Sequence, residues 1–338
     1  MFKIGKKTKE TIGLDIGNFA IKVTALMPRS DKPLLTAYNV KNIPLYDSKP
    51  AKVGKLIKEA LDEIDLSPNE VNLSISGSNV IVRFIDLPKM SKEQLENAMI
   101  FEAERYIPFS VNEVILDFLI LDAPESGQMN VLLAAAKRDF VQSRIELLQK
   151  LGININILDI SAFAGFNAFR SCNSLVEETG TAFLDLGHSQ TNLLVTGGDI
   201  PRFMRVIQIG GKDITTALSE DLGVTLQEAE ELKMGGARQD DEKVQQSTYA
   251  VLDELIKEIK LSFGYFENKY NGSIGNVYCS GGMIYQHGIL EYLKQKMGTE
   301  FRTWNPIGGV EISDSLSREA IEPVSGQLAV SIGLGLRR

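Results

Sequence analysis

The chain has 338 residues, 43% of them hydrophobic and 24% charged, a length and composition that suit two globular domains rather than one core. Its net charge of −8, with no strongly basic face, excludes nucleic acid as the main partner. Two cysteines, Cys172 and Cys279, make no disulfide framework or zinc cluster and point to a reducing compartment.

The basic opening, Met1 to Lys9, lacks the apolar centre of a signal peptide and reads as a solvated tail, with contact to anionic lipid as the alternative. Residues 11–17, 19–27 and 33–40 then read as strands, with turns at Gly17-Asn18 and between Pro28 and Pro33. Lys52 to Ile64 places Val53, Leu56, Ile57, Ala60, Leu61 and Ile64 on one helical face. Val71 to Ser76 alternates as a strand. Residues 79–155 form a separate α+β unit. It has a strand at Val80–Phe84 and a helix capped by Ser91 that runs to about Arg105. A break at Ile107-Pro108-Phe109 follows, then strands at Val114–Leu121 and Asn130–Ala136 around a Pro124–Gly127 turn, and a helix at about Asp139–Leu151. The stretch Ile155 to Phe169 is apolar but carries Asn156, Asp159 and Asn167, and it is shorter than the roughly 20 residues of a membrane helix.

The second half repeats the opening. Thr181-Ala-Phe-Leu-Asp-Leu-Gly-His188 copies Thr11-Ile-Gly-Leu-Asp-Ile-Gly-Asn18, and each copy leads into a second strand. Strands at 181–186, 191–196 and about 202–208 precede a helix from Asp213, two further helices with a polar break at Gly235–Lys243, and a strand at Asn276–Cys279. A helix from about Ile284 to Met297 follows, and a small-residue segment, Val324 to Leu336, closes the chain.

A strand ending in Asp-x-Gly points a carboxylate out of the hairpin mouth, while the glycine lets backbone N–H groups approach a phosphate. Asp15 and Asp185 are therefore candidates to hold hydrated Mg²⁺, with Gly17, Asn18, Gly187, His188 and Ser189 around the phosphates. Lys22 is either a phosphate-contacting cation or an exposed strand lysine. Gly210-Gly211 is either a phosphate-binding helix start or a turn pair. Ser280-Gly281-Gly282, after a strand, carries the same ambiguity. Glu230 and Lys233 are either a surface i, i+3 pair or ribose hydrogen-bonding groups. His188 and His287 form no Ser-His-Asp or metal-ligand arrangement.

Together these pieces resemble the actin-like ATPase superfamily of actin, the seventy-kilodalton chaperones, sugar kinases, FtsA and MreB. The resemblance implies an α/β fold of two ribonuclease-H-like domains that binds ATP and Mg²⁺. Leu14–Asn18 and Phe183–Gly187 resemble the two phosphate motifs, with Lys22 at the family's phosphate-contacting lysine. Ser280–Gly282 resembles the adenosine motif, and Ala229–Lys233 falls where FtsA-like members contact ribose. Ile157–Ala162 looks like the first connecting helix, with Asp159 near the catalytic Gln or Glu of relatives.

Within the superfamily the chain is most similar to the PilM family of type IV pilus machines. Phe101–Phe109, Ile209–Thr215 and Ser331–Arg337 carry that similarity. It implies subdomain 1A at 11–78, 156–180 and 324–338, an FtsA-type 1C insert at 79–155, subdomain 2A at 181–215 and 276–323, and 2B at 216–275. It also implies an adaptor at the cytoplasmic face of the inner membrane. The adaptor would be recruited by the cytoplasmic N-terminal peptide of a PilN-like bitopic protein and work beside other pilus platform or assembly-ATPase components. Tyr106, Ile107, Pro108 and Phe109 are the candidate peptide lining, a core corner being the alternative.

The chain stops directly after the final small-residue segment, where FtsA continues into a membrane helix. Asn18 and bulky Phe19 after the first glycine, and His188 in the second turn, depart from the superfamily pattern and argue against fast hydrolysis. Rival functions are an FtsA- or MreB-like filament protein and a small-molecule kinase. Self-association is left open.

Overall fold

The computed structural model describes residues 10–44, 49–122, 127–173, 180–235 and 241–338. The basic opening, most of the Pro124–Gly127 turn and the centre of the Gly235–Lys243 break lie outside the described residues. The first half begins with β1 (Thr11–Ile16), β2 (Ala20–Met27), β3 (Leu34–Asn42), α1 (Pro50–Asp62) and β4 (Glu70–Ile75). The insert follows: β5 (Val80–Pro88), α2 (Lys92–Ala103), β6 (Val114–Asp122), β7 (Gln128–Lys137) and α3 (Arg138–Gln149). The chain returns through β8 (Asn154–Ile160) and α4 (Ser161–Cys172).

The second half comprises β9 (Gly180–Leu186), β10 (Thr191–Gly197), β11 (Ile200–Ile207), α5 (Gly211–Leu222), α6 (Leu226–Lys233), α7 (Glu242–Tyr270), β12 (Ile274–Ser280), α8 (Ile289–Met297) and β13 (Phe301–Thr303). A short β14 (Glu311–Ile312), α9 (Arg318–Ile321) and α10 (Ala329–Gly335) end the chain. No described helix is long and apolar enough to cross a membrane.

The sequence repeat becomes a repeat of topology. One sheet runs β3-β2-β1-β4-β8 with β14 added at its edge, and the other runs β11-β10-β9-β12-β13. In both, the first two pairings are antiparallel and the next two parallel. Each half buries its own apolar cluster, α1 covering the first sheet with Val53, Leu56, Ile57, Ala60 and Leu61. The insert sheet, β5-β7-β6, has a third core around Leu95, Met99, Ile107, Val131 and Leu133. Ser91 caps α2 as expected, in a capping box that exchanges hydrogen bonds with Gln94.

Three expectations change. Residues 157–160 are strand, not helix, because Asn154–Ile160 pairs in parallel with β4, and the helix starts at Ser161. The expected helix at Ile284–Met297 divides into a 3₁₀ turn at Gly282–Tyr285 and α8, since Gly288 adopts a left-handed φ of +73° between them. The segment around Glu311–Ile312, assigned by sequence to the second half, pairs with β3, and Ile307, Val310 and Ile321 bury against Leu26 and Leu35 of the first sheet.

α4 and α10 pack side by side where the halves meet. A Cβ on Gly333 would overlap the Ala164 carbonyl, and one on Gly13 would overlap the Ser331 carbonyl. Phe166 and Phe169 of α4 reach Phe183 of the second half at centroid distances of 5.2 and 4.4 Å.

Candidate functional site

A cleft of about 380 Å³ opens between the halves, walled by the β1–β2 and β9–β10 hairpin turns. The turns are alike in detail. Gly17 N–H donates to Ala20 O at 3.0 Å, and Gly187 N–H to Gln190 O at 3.1 Å. A Cβ on either glycine would come within 2.9 Å of that same carbonyl, so the turns need bare backbone. Asp15 faces Lys22 across its hairpin, and Asp185 faces Asn192 at the equivalent register. Lys22 Nζ donates to Asp15 Oδ2 at 2.9 Å, and Asn192 Nδ2 to Asp185 Oδ2 at 3.2 Å. Ser74 Oγ, at the end of β4, fixes the other Asp15 oxygen at 2.8 Å. Among the described residues, no protein group accepts from the N–H of Asn18, Phe19, His188 or Ser189.

Burial pushes the Asp185 carboxyl up, the nearby Lys22 ammonium opposing it and the Asp15 carboxylate adding to it. A carboxyl whose folded pKa lies above its unfolded value costs the fold stability above that folded pKa. The cost vanishes as pH falls below the unfolded value of about 3.9. Asp185→Asn is therefore expected to raise the melting temperature of the ligand-free protein near neutral pH. That gain should shrink on acidification, as thermal denaturation at a series of pH values would show.

His188 is driven down to about 4 by burial and then by the Lys233 charge, so its ring is neutral near pH 7. It lies 4.8 Å from the Phe19 ring, joining the two hairpin tips.

Asp15, Gly17, Asn18, Lys22, Asp185, Gly187, His188, Ser189, Gly281 and Gly282 all line the cleft. Gly281 has φ +94°, and a Cβ there would meet Leu186 O at 2.5 Å. Gly210 and Gly211 do not line it. Their N–H groups are taken by the Asp213 carboxylate at 2.8 Å and Gly187 O at 3.0 Å. Gly210 is glycine so that α5 can seat on the second hairpin, a Cβ there meeting His188 O at 2.6 Å.

Glu230 and Lys233 are neither a solvated pair nor on the cleft wall. Lys233 is buried, donating to Gly211 O, Thr215 Oγ1 and Glu230 Oε2. Asp159 is outside the cleft as well: it sits on β8 opposite Ser74, and its carboxylate lies 3.4 Å from the Arg337 guanidinium. Sequence reasoning missed Ser74, Gly77, Arg144, Gln190, Asn192 and Lys212, which line the cleft. The Ser74-Ile-Ser-Gly-Ser-Asn79 turn after a strand was the available signal for the first two.

Among the described residues no three His, Cys, Asp or Glu groups cluster to hold a bare metal ion. One buried and one half-buried carboxylate, Asp15 and Asp185, each already accepting a hydrogen bond, fit a magnesium ion that keeps its waters and shares phosphate oxygens.

On the insert, Ile107 is only 6% exposed and belongs to its core. It therefore supports the corner rather than lining a surface. Pro108 is exposed and Tyr106 and Phe109 are half-buried. Nearby Ile100 and Phe101 of α2, the latter 74% exposed, stand out to solvent, as do Ile115 and Leu119 of the outer strand β6.

A family model described as type IV pilus assembly protein PilM matches residues 13–338. A solved PilM-PilN type IV pilus biogenesis complex contains a chain similar at 30% identity, with 98% of each chain covered and a TM-score of 0.88. Ethanolamine utilization protein EutJ from Carboxydothermus hydrogenoformans is similar in fold, at 12% identity over 97% of this chain and 89% of that one (TM-score 0.56). So is MreB 5 of Spiroplasma citri bound to AMPPNP, at 11% identity over 97% and 95% (TM-score 0.52). The actin-like ATPase fold expected from the hairpin repeat is thus the fold of the chain.

Proposed function

The chain belongs to the type IV pilus assembly protein PilM family, and from that premise we propose that it is a nucleotide-binding adaptor of the pilus assembly platform. Mg-ATP would lie between the two Asp-x-Gly hairpins. The observation that carries this is the matched pair of turns, each offering N–H groups unpaired among the described residues beside an aspartate, Asp15 buried and Asp185 half-buried. The MreB of the same fold is itself bound to AMPPNP. Gly281 and Gly282 would pass beside the base, while Glu230 and Lys233 would brace the ribose side through Gly211 rather than touch the sugar.

Turnover is expected to be slow or absent. The cleft lining holds two carboxylates, Asp15 and Asp185, both engaged, and Asp159 faces Arg337 instead. Neither lining carboxylate is left free to act as the base for an attacking water.

The similar PilM chain was solved as a PilM-PilN complex. We assign residues 79–155 as the partner-facing 1C insert. It would take the cytoplasmic N-terminal peptide of a PilN-like membrane protein beside Tyr106, Pro108 and Phe109, with Phe101 within the same apolar surface. That contact would hold the chain peripherally at the inner membrane. An affinity pull-down of the tagged protein from solubilised host membranes with Mg-ATP, read by mass spectrometry, tests this. Recovery of a small single-span protein with a short cytoplasmic tail is expected. Recovery of division proteins, or of no membrane partner, would overturn it. Phe101→Ala is expected to weaken capture by about tenfold, given the roughly 1–2 kcal/mol of a buried interface aromatic.

A further inference from the structure

The cleft contains a cation that the phosphate motifs do not assign. Arg144 lies on α3, the helix that leaves the insert's central strand β7, and it lines the cleft with Phe140 and with Ser78 and Asn79 of the β4–β5 turn. Its guanidinium sits 5.1 Å from the Phe140 ring centroid. Burial acts on its charge, lowering its pKa, and among the described residues no carboxylate offsets it. By contrast Lys22, also on the cleft wall, has Asp15, half-buried Arg202 has Asp122 and buried Lys233 has Glu230. A guanidinium stays protonated in proteins, so a desolvated one without an acceptor is poised for an anion from outside the chain. Its planar fork matches phosphate oxygens.

We infer that Arg144 donates to the terminal phosphate of the bound nucleoside triphosphate, an inference that rests on the nucleotide reading above. The glycines proposed to pass beside the base, Gly281 and Gly282, belong to the second half. Arg144 comes from the first, with the hairpin turns gripping the phosphates between the halves. A triphosphate extending from the second half meets Arg144 with its far end, and a diphosphate falls short. Because α3 continues from β7, this contact also reports the nucleotide to the insert.

Isothermal titration of Mg-AMPPNP and Mg-ADP into the full chain and its Arg144→Gln and Arg144→Lys variants tests this, with circular dichroism to verify folding. Arg144→Gln should weaken Mg-AMPPNP about tenfold or more, as for a charge-assisted hydrogen bond, and leave Mg-ADP unchanged. Arg144→Lys should recover part of the loss. Unchanged affinities in Arg144→Gln, or equal losses for both nucleotides, would overturn the terminal-phosphate role while leaving the nucleotide site standing. Failure of the unaltered protein to bind either nucleotide would overturn the nucleotide reading and this inference with it.

Discussion

Asp15→Ala weakens Mg-ATP binding by about 100-fold or more, roughly 3 kcal/mol, while unfolding stays cooperative. Asp15 is the carboxylate that both neighbouring strands of the first sheet converge on, accepting from Lys22 of β2 at 2.9 Å and Ser74 of β4 at 2.8 Å. Removing it deletes one of two acidic anchors for hydrated magnesium. It also frees Lys22, which can turn toward a phosphate or toward solvent. The backbone of the turn does not depend on the side chain, because Gly17 N–H bonds Ala20 O regardless. Asp15→Asn keeps the shape and the acceptor to Lys22 but not the charge, and its loss should fall between. Titration of Mg-ATP alongside thermal denaturation separates a lost site from a lost fold.

The second large effect is on stability. Gly333→Ala is expected to cost about 3 kcal/mol or more, at the upper end of overpacking penalties, because its methyl would occupy the position of the Ala164 carbonyl oxygen. That oxygen belongs to the backbone of α4 and cannot move aside as a side-chain tip can. Either α10 lifts off α4 or both helices shift, disturbing the packing on which β1 and the first hairpin rest. Gly264→Ala in the middle of α7 is the control. Nothing lies within 4 Å of a Cβ there, so the same substitution should stabilise the chain by about 0.5–1 kcal/mol through helix propensity. Urea denaturation of the two variants measures both. A Gly333→Ala loss no larger than a few tenths of a kcal/mol would contradict the close packing of α4 and α10.

The hairpins were legible because their signal is local. An apolar strand, an Asp-x-Gly turn and a second strand fix both the backbone and the direction of the carboxylate, and the repeat at Asp185 set two such units in one chain. The glycines of Gly210-Gly211 were visible but their reason was not. Close approach to the His188 carbonyl requires the same residue as an open phosphate cradle, and only the fold separates the two. The family resemblance places residues 157–160 in the first connecting helix, a short apolar run having no period to correct it, and pairing with β4 makes them strand. Asp159 moved out of the cleft with that change. Glu311–Ile312 adds to the first sheet through two residues, too few for any pattern. Arg144 sits on an ordinary amphipathic helix, and its place at the cleft depends on how α3 packs at the end of the insert, which is long-range information. Glu230 and Lys233 looked like a surface pair at i, i+3. The hydroxyl of Thr215 and the carbonyl of Gly211, on a different helix, turn them into a buried cluster.

The central claim is that one chain joins a nucleotide cleft to a partner surface on its insert. It is tested most directly by titrating a synthetic peptide of the cytoplasmic N-terminus of the PilN-like partner into the full chain, once without nucleotide and once with saturating Mg-ATP. The account predicts saturable 1:1 binding whose affinity differs by about fivefold or more between the two titrations, the lower end of typical coupling energies. Absence of peptide binding, or identical affinities with and without nucleotide, would contradict it.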